Sequence, residues 1–123
     1  MNSKPKILYV DDEPMNLVLF ELNFNQFYDV LTSTNGFNAL EILQENTDLN
    51  AVISDLKMPL INGFDFLAKV KEGFPEMKCF LMSGYDLNEQ IANALNTGLI
   101  LSHFMKPFDL DKIRSTLKMH LGE

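Results

Sequence analysis

Charged and hydroxyl side chains follow several short apolar stretches of the chain. Asp11 and Asp12 come after the first stretch, Asp55 ends the third, Ser83 follows the fourth and Lys106 follows the fifth. Three carboxylates that lie within a few ångströms of one another repel, so they need a cation. A hard divalent ion with oxygen ligands, Mg²⁺ by preference, suits carboxylates without His or Cys. A fold that brings these residues together would therefore create a magnesium site beside a lysine and a hydroxyl.

The chemistry that this set supports is phosphoryl transfer to a carboxylate. An anion attacks an anion in such a step, so Mg²⁺ screens both, a lysine neutralises a second phosphoryl oxygen and a hydroxyl binds the third. Asp12, Lys106 and Ser83 can fill these roles around Asp55, and the product is an acyl phosphate on Asp55. A single acidic residue at a strand end is more often a solvated loop residue. Four groups at one edge favour the chemical interpretation.

The apolar stretches themselves predict five buried strands, which begin near residues 7, 30, 51, 79 and 103. Helices are predicted between and after them, with Asn, Asp and Gly at their ends. Their predicted ranges are 15–27, 37–45, 64–72, a helix that Asp86 caps and that runs through residue 96 to Gly98, and 110–121. This alternation predicts a three-layer α/β fold with helices on both faces of a parallel sheet. Ligands bind such folds at the carboxyl ends of the strands.

Length and composition predict one compact domain over residues 1–123. The chain carries a formal net charge of −7 and is 46% hydrophobic, which allows a substantial core. No basic cluster is present, so direct nucleic-acid binding is not expected. The single cysteine, Cys79, is expected to be a buried bystander thiol. The N-terminal apolar run is too short for a secretion signal or a membrane span, so we expect a cytoplasmic location without membrane contact.

In chain order, the motifs resemble those of the receiver domains of two-component response regulators. They are Asp11-Asp12, Asp55 with Met58-Pro59 and Asn62-Gly63, Ser83-Gly84 and Lys106-Pro107-Phe108. The resemblance covers residues 7 to about 121. It implies a doubly wound, flavodoxin-like sheet with strand order 2-1-3-4-5 and five helices. It also implies that Asp55 takes a phosphoryl group from a phosphohistidine, which switches the face of helix 4, strand 5 and helix 5 for partner binding.

The same resemblance implies a role for individual residues at the site. Asp12 and Asp55 would ligate Mg²⁺ directly, together with the main-chain carbonyl of Lys57, while Asp11 would act through water. Lys106 would pair with the phosphoryl group, and its bond to the following Pro107 is expected to be cis.

The resemblance also implies the partners and the type of activity. A sensor histidine kinase or a histidine phosphotransfer protein would supply the phosphoryl group, and a downstream protein or an output domain would respond. A homodimer is left open. The protein would be a signalling phosphoacceptor that promotes only its own phosphorylation and dephosphorylation, rather than an enzyme that turns over other substrates.

Lys57 and His103 depart from the family pattern. Lys57 lies two residues beyond Asp55, where the family often has Asn or a small polar residue, and Tyr85 lies two beyond Ser83. One hypothesis is that Lys57 and Tyr85 tune the lifetime of the acyl phosphate, and the alternative is that Lys57 is a solvated loop lysine. His103 occupies the place of a Tyr or Phe that rotates inward when Ser83 moves. It is either such an aromatic switch or a partly exposed strand histidine.

Two apolar surfaces admit alternative interpretations. Residues 99–101, Leu-Ile-Leu, belong either to an output or dimer face or to the packing beneath helix 4. Helix 1 carries apolar residues on more than one stripe, so part of it is expected to stay exposed, where kinases dock in the family.

Other functions fit the sequence less well. A flavodoxin-like electron carrier would need a phosphate-binding loop after strand 1, where Asp11 and Asp12 repel an anion. A phosphatase with an aspartate nucleophile typically resembles Asp-x-Asp, and Lys57 stands at the second position. The main alternative is a receiver-like interaction module that is not phosphorylated. Whether the chain acts alone or as one domain of a longer regulator is open.

Overall fold

The computed structural model describes residues 4–84 and 88–122. Within them, strands and helices alternate, and all strand pairs are parallel in the order β2-β1-β3-β4-β5. The strands are β1 (Lys6–Val10), β2 (Asp29–Ser33), β3 (Ala51–Asp55), β4 (Lys78–Ser83) and β5 (Ser102–Met105), and the helices are α1 (Pro14–Phe24), α2 (Gly36–Glu45), α3 (Gly63–Gly73), α4 (Glu89–Thr97) and α5 (Leu110–Leu121). The predicted α/β class and the strand order implied by the resemblance are confirmed.

Strand register aligns the carboxyl ends of the central strands. Val10 on β1 lies opposite Ser54 on β3, so the next residues, Asp11 and Asp55, fall at the same level. Asp55 in turn lies opposite Met82 on β4, one residue before Ser83. The sheet edge therefore brings together side chains that are far apart in sequence.

Two apolar layers cover the sheet because successive side chains of a strand point to opposite faces. Leu8 and Val10 of β1 pack on one face with residues of α2, α3 and α4. Ile7 and Tyr9 pack on the other face with residues of α1 and α5. Buried on both faces, the central strands β1, β3 and β4 are mostly apolar, which is the pattern that identified them in the sequence.

Short polar side chains cap the helices that start near the site. Asn62 accepts a hydrogen bond of 2.9 Å from the Asp65 backbone N–H at the start of α3, and Asn88 does the same for Ile91 at the start of α4. The predicted cap Asp86 lies outside the described residues, and α4 begins at Glu89. Asn88 takes that place because its side-chain oxygen reaches the third N–H of the helix.

Helix α1 is shorter than predicted and ends at Phe24 rather than at residue 27. The backbone N–H groups of Phe27 and Tyr28 both bond to the Phe24 carbonyl, so the chain turns there towards β2. Tyr28 becomes buried in this turn, and the Arg114 guanidinium lies 4.2 Å from the centre of the Phe27 ring. An apolar run that leaves a helix can therefore still belong to the core.

The remaining apolar predictions divide between core and surface. Cys79 is buried, and its burial raises the pKa of the thiol to about 12, so it is an inert core residue. Ile100 is buried beneath α4 and Leu99 packs on the same cluster, whereas Leu101 is exposed. In α1, four large apolar residues are exposed, as expected: Met15, Val18, Leu19 and Leu22. Among residues 4–84 and 88–122, no helix has the length and apolar character needed to cross a bilayer.

Candidate functional site

Three carboxylates converge at the carboxyl edge of the sheet. Each of Asp11, Asp12 and Asp55 offers an oxygen atom that lies within 4.8 Å of the other two. Asp11 is fully buried, Asp55 is 6% exposed and Asp12 is exposed. Hard oxygen donors with a net negative charge are the ligands that Mg²⁺ prefers, so the residues present fit this ion. Because Asp12 is exposed, an ion can reach the carboxylates from solvent.

Lys106 links the two buried carboxylates. Its Nζ lies 3.0 Å from Asp11 Oδ2 and 3.2 Å from Asp55 Oδ2. Burial by itself would lower the pKa of Lys106, but the hydrogen bonds and charges of Asp11 and Asp55 outweigh burial and raise it. The ammonium is therefore fully charged beside the carboxylates. The Lys106–Pro107 peptide bond is cis, as the resemblance implies.

Asp55 combines a buried position with incomplete charge compensation. Burial and the nearby charge of Asp11 raise its pKa to about 6, although Lys106 and the Leu56 N–H act in the opposite direction. The Leu56 N–H donates to Asp55 Oδ1 at 3.0 Å. One oxygen is thus held by the backbone and the other by Lys106. At neutral pH the carboxylate is mostly ionised, which is the nucleophilic form.

Asp11 is held by donors that sequence reasoning missed. Its Oδ2 accepts hydrogen bonds from the Tyr9 hydroxyl at 2.6 Å and from the Asn16 side-chain amide at 3.2 Å. Its Oδ1 accepts the Glu13 backbone N–H at 3.0 Å. Tyr9 belongs to the apolar run that predicts the first strand, and its spacing of two residues from Asp11 is the signal that could have found it, since side chains two apart in a strand share a face.

Gly63 allows the loop after β3 to pass close to Asp55. The Gly63 N–H bonds to the Leu56 carbonyl at 2.8 Å. A Cβ atom on Gly63 would lie 2.5 Å from the Asp55 carbonyl oxygen and 2.9 Å from the Leu56 Cα, and both are backbone atoms that cannot swing away. The Asn62-Gly63 motif therefore shapes the site through backbone proximity and through the Asn62 cap.

The hydroxyl at the end of β4 is bonded to β5. Ser83 Oγ and His103 Nε2 share a hydrogen bond of 2.8 Å. Ser83 is 2% exposed and His103 is half-buried. The Lys106 N–H bonds to the Ser83 carbonyl at 2.8 Å, which places Ser83 beside the lysine that reaches the carboxylates. The imidazole of His103, a half-buried residue of β5, therefore contacts the site residue Ser83.

Lys57 lies at the solvent side of the site. It is exposed, and with Asp12 it lines a cleft of about 600 Å³ between the loop after β3 and the start of α4. The cleft wall also includes Met58, Asn88 and Gln90. Tyr85, the other residue of the lifetime hypothesis, lies outside the described residues. The structure thus brings together Asp11, Asp12, Asp55, Lys106 and Ser83 at one edge, with Lys57 and His103 flanking them.

A family comparison accounts for this arrangement. The model of the response regulator receiver domain family matches residues 7–118. The chain belongs to this family. The matched segment begins within β1, contains β2 to β5 and includes each proposed site residue, so the resemblance seen in the motifs extends over most of the sequence.

Individual relatives agree with this assignment. The chain is 34% identical over 118 residues to the sporulation initiation phosphotransferase F of Bacillus subtilis, with 94% of this chain and 93% of the relative covered. It is 31% identical over 117 residues to the autoinducer 1 sensor kinase/phosphatase LuxN of Vibrio campbellii. That match covers 94% of this chain but only 13% of LuxN. Receiver domains of this kind therefore occur both as most of a protein and as a small part of one.

A solved structure shows the same fold with a bound ion. The response regulator protein TrrA from Thermotoga maritima, in complex with Mg²⁺ and BeF, aligns with a TM-score of 0.82 and 25% identity. The alignment covers 95% of this chain and 99% of TrrA.

Proposed function

We propose that this protein is a phosphoacceptor receiver domain, with Asp55 as the residue that carries the phosphoryl group. One observation carries the proposal: Asp55 lies between a half-buried lysine and two further carboxylates at the carboxyl edge of the sheet. The lysine neutralises a phosphoryl oxygen, and the carboxylates recruit a divalent cation. The proposed domain comprises residues 1–123.

The transfer step makes a P–O bond and breaks a P–N bond. A carboxylate oxygen of Asp55 attacks the phosphorus atom of a phosphohistidine, and the imidazole leaves with the electron pair of the P–N bond. Lys106, which lies 3.2 Å from Asp55 Oδ2, is positioned to pair with a phosphoryl oxygen. The Ser83 hydroxyl leaves His103 and donates to another phosphoryl oxygen. Asp55 therefore acts as nucleophile, Lys106 as cation and Ser83 as hydrogen-bond donor.

Asp12 and Asp55 would hold Mg²⁺ with the main-chain carbonyl of Lys57, and Asp11 would contribute through water. The bound ion supplies the positive charge that lets one anion approach another. The residues of this chain set the geometry, because Asp11 is buried and hydrogen-bonded while Asp12 is exposed to incoming ion and donor.

The expected partners follow from this chemistry. A sensor histidine kinase or a histidine phosphotransfer protein donates the phosphoryl group, and a downstream protein or output domain recognises the changed face of α4, β5 and α5. His103 links Ser83 to β5 and so connects the site with this face. We expect no direct nucleic-acid or membrane partner, and a homodimer is left open. The single buried thiol suits the reducing cytoplasm, which we propose as its location.

Intact-mass measurement tests the proposed function. The protein is incubated with acetyl phosphate, with and without Mg²⁺, and compared with Asp55→Asn. Asn is nearly the same size as Asp but is a poor nucleophile. We expect a Mg²⁺-dependent gain of one phosphoryl group in the wild type and none in the variant. Asp65→Asn, at an exposed position in α3, is the matched control and should be phosphorylated like the wild type.

The alternative of a non-phosphorylated interaction module gives a different result. If the folded wild type binds Mg²⁺ but gains no phosphoryl group from acetyl phosphate or from a phosphorylated histidine donor, the phosphoacceptor role is wrong. A gain that persists in Asp55→Asn would instead move the acceptor to another residue.

A further inference from the structure

The hydroxyl of Tyr9 reaches the carboxylate cluster from the interior of the protein. Tyr9 is fully buried on β1, and its Oη donates a hydrogen bond of 2.6 Å to Asp11 Oδ2. Met82 Sδ lies 3.7 Å from the same hydroxyl. An otherwise apolar strand therefore supplies a neutral donor to a buried anion, where an unsatisfied carboxylate oxygen would be costly.

Packing holds the Tyr9 ring in this orientation. The ring stacks on Phe20 with 4.3 Å between centroids, and the edge of Phe108 lies against it at 5.9 Å. Phe20 and Phe108 also contact each other at 5.7 Å. These contacts restrict the ring on two sides, so the hydroxyl has a defined position relative to Asp11.

Asp11 Oδ2 divides its hydrogen bonds among three donors. Besides Tyr9, these are the Asn16 amide at 3.2 Å and the Lys106 ammonium at 3.0 Å. Lys106 lies at almost the same distance from Asp55 Oδ2, 3.2 Å. The lysine is therefore shared between a carboxylate that never reacts and the one that does.

We propose that Tyr9 is a positioning residue of the phosphoryl-transfer site: its hydroxyl holds Asp11 in place and thereby frees Lys106 for the phosphoryl group. The statement that the Lys106 ammonium turns to a phosphoryl oxygen rests on the proposed function, whereas the contact between Tyr9 and Asp11 does not. When Lys106 turns to a phosphoryl oxygen, Tyr9 and Asn16 still satisfy the buried Asp11.

The neutrality of this donor is what makes it useful beside a cation site. A phenolic hydroxyl donates its hydrogen bond to Asp11 as a neutral group, whereas the ammonium of Lys106 donates as a cation. A neutral hydroxyl stabilises Asp11 without repelling Mg²⁺, whereas an ammonium at the same oxygen repels it. Without the hydroxyl, Asp11 depends more strongly on Lys106, whose charge then stays next to the metal site.

The first test replaces Tyr9 by Phe, which removes one oxygen atom and keeps the ring packing. We expect Tyr9→Phe to weaken Mg²⁺ binding roughly tenfold, as measured by amide chemical shifts in a Mg²⁺ titration. The maximal phosphorylation rate at saturating Mg²⁺ should fall by a similar factor. Tyr28→Phe is the matched control, because it removes another buried hydroxyl. This hydroxyl is bonded to Arg114 at the amino ends of the strands, away from the carboxylates. It should bind Mg²⁺ like the wild type.

A double-variant cycle shows whether Tyr9 acts through Lys106. In a Lys106→Met background, Tyr9→Phe should change the Mg²⁺ affinity by less than about twofold, because the competing ammonium is gone. If Tyr9 only supported the fold, the affinity would fall by the same factor with and without Lys106.

A measurement on the wild type does not depend on any variant folding. The Tyr9 hydroxyl proton, assigned through its contacts with Phe20 and Phe108, should remain visible by NMR in the metal-free protein. It should persist when Mg²⁺ and beryllium fluoride, a phosphoryl mimic, are added. Its disappearance on adding the mimic would show that Tyr9 does not hold Asp11 in the phosphorylated state and would overturn the proposal.

The outcomes separate this proposal from the proposed function. Wild-type Mg²⁺ affinity in folded Tyr9→Phe, or an equal loss in Tyr28→Phe, overturns the role of Tyr9. Absence of phosphorylation in a wild type that binds Mg²⁺ overturns the phosphoacceptor role and with it the release of Lys106 to a phosphoryl group. In that case the affinity measurements still decide whether Tyr9 keeps Lys106 away from the cation.

Discussion

Ser83 on β4 and His103 on β5 share a hydrogen bond of 2.8 Å between Oγ and Nε2. In the proposed mechanism the Ser83 hydroxyl turns to a phosphoryl oxygen, so this bond breaks on phosphorylation. The rearrangement of His103 then carries the event to β5 and to the face that it forms with α4 and α5. The bond is a direct physical link between the acceptor site and this face.

Replacing His103 by Ala should therefore leave the phosphorylation of Asp55 intact but reduce the structural change that follows in β5 and α5. We expect Asp55 in His103→Ala to be phosphorylated at a rate within about threefold of the wild type, because the imidazole bonds to Ser83 Oγ whereas Lys106 is the cation that pairs with Asp55. Amide shift changes of β5 and α5 on adding Mg²⁺ and beryllium fluoride should shrink. His103→Phe, which restores an aromatic ring, should recover part of them. Unchanged shifts in His103→Ala would remove His103 from the switch.

We expect Lys106→Met to slow phosphoryl transfer strongly and to destabilise the metal-free protein. The variant leaves the buried carboxylates without their cation, which should lower the free energy of unfolding by about 1–3 kcal/mol. Loss of the charge should slow phosphorylation by about 100-fold or more, by analogy with removal of one stabilising donor in other active sites. Chemical denaturation and intact mass measure the two effects. Lys112→Met, at an exposed position of α5, should change neither, and a wild-type rate in Lys106→Met would exclude Lys106 from the transfer step.

The metal-free protein should become less stable as Asp55 ionises. Burial and Asp11 raise the pKa of Asp55 to about 6, above that of an unfolded chain. The folded state therefore holds this proton more tightly, and the stability that it adds is present below about pH 4 and is lost as the pH rises through 6. The Asn side chain of Asp55→Asn does not ionise, so the variant does not lose this stability as the pH rises. At pH 7 it should be more stable than the wild type by about 2 kcal/mol, with a smaller difference at pH 4.

Denaturation curves between pH 4 and pH 8 without divalent ions test this difference. Asp48→Asn serves as a control of opposite sign, because the hydrogen bond to Lys6 lowers the pKa of Asp48. The stability contributed by Asp48 is lost as the pH falls rather than as it rises. An Asp55→Asn advantage that did not grow with pH would contradict the assigned charge balance of the site.

Gly63→Ala should disturb the site through the backbone. The added Cβ would approach the Asp55 carbonyl and the Leu56 Cα more closely than contact distance allows, so the loop after β3 must shift. We expect a loss of roughly 1–3 kcal/mol in unfolding free energy and slower phosphorylation of the remaining folded protein. Gly73→Ala at the end of α3 is the control, because a Cβ there would meet no atom within 4 Å. Equal effects of the two substitutions would show that crowding at Asp55 is not the cause.

Lys57→Asn should shorten the lifetime of the acyl phosphate. Lys57 and Asp12 line the solvent-side cleft together with Leu56, the residue after Asp55, and a long cationic side chain there can pair with a phosphoryl oxygen. We expect dephosphorylation to be several-fold faster in Lys57→Asn, and faster again when Tyr85→Ala is added. Lys69→Asn, on the exposed face of α3, should leave the rate unchanged. Identical decay in wild type and the double variant would refute the lifetime hypothesis.

Local sequence patterns were sufficient for most of the architecture. Continuous apolar runs identified the central strands β1, β3 and β4, because a strand covered on both faces needs mostly apolar side chains, and shorter apolar runs identified the partly exposed strands β2 and β5. Asn62 correctly predicted a helix start, since its short side chain caps the backbone. The same rule did not identify the cap of α4, because the sequence there offers two residues of the capping type, and the residue whose side chain bonds to the helix is Asn88. The end of α1 was missed because Tyr28 is buried by a turn rather than by a helix.

By itself, the sequence determined which side chains stand at the strand ends. Parallel strands place their carboxyl ends on one edge, so Asp11, Asp55, Ser83 and Lys106 had to come near one another. Only the tertiary structure decided which atoms touch. The division of Lys106 between two carboxylates depends on differences of a few tenths of an ångström, and so does the contact of Tyr9 with Asp11. Such distances are set by how the helices pack against both faces of the sheet, and local patterns of residue type carry no information about that packing.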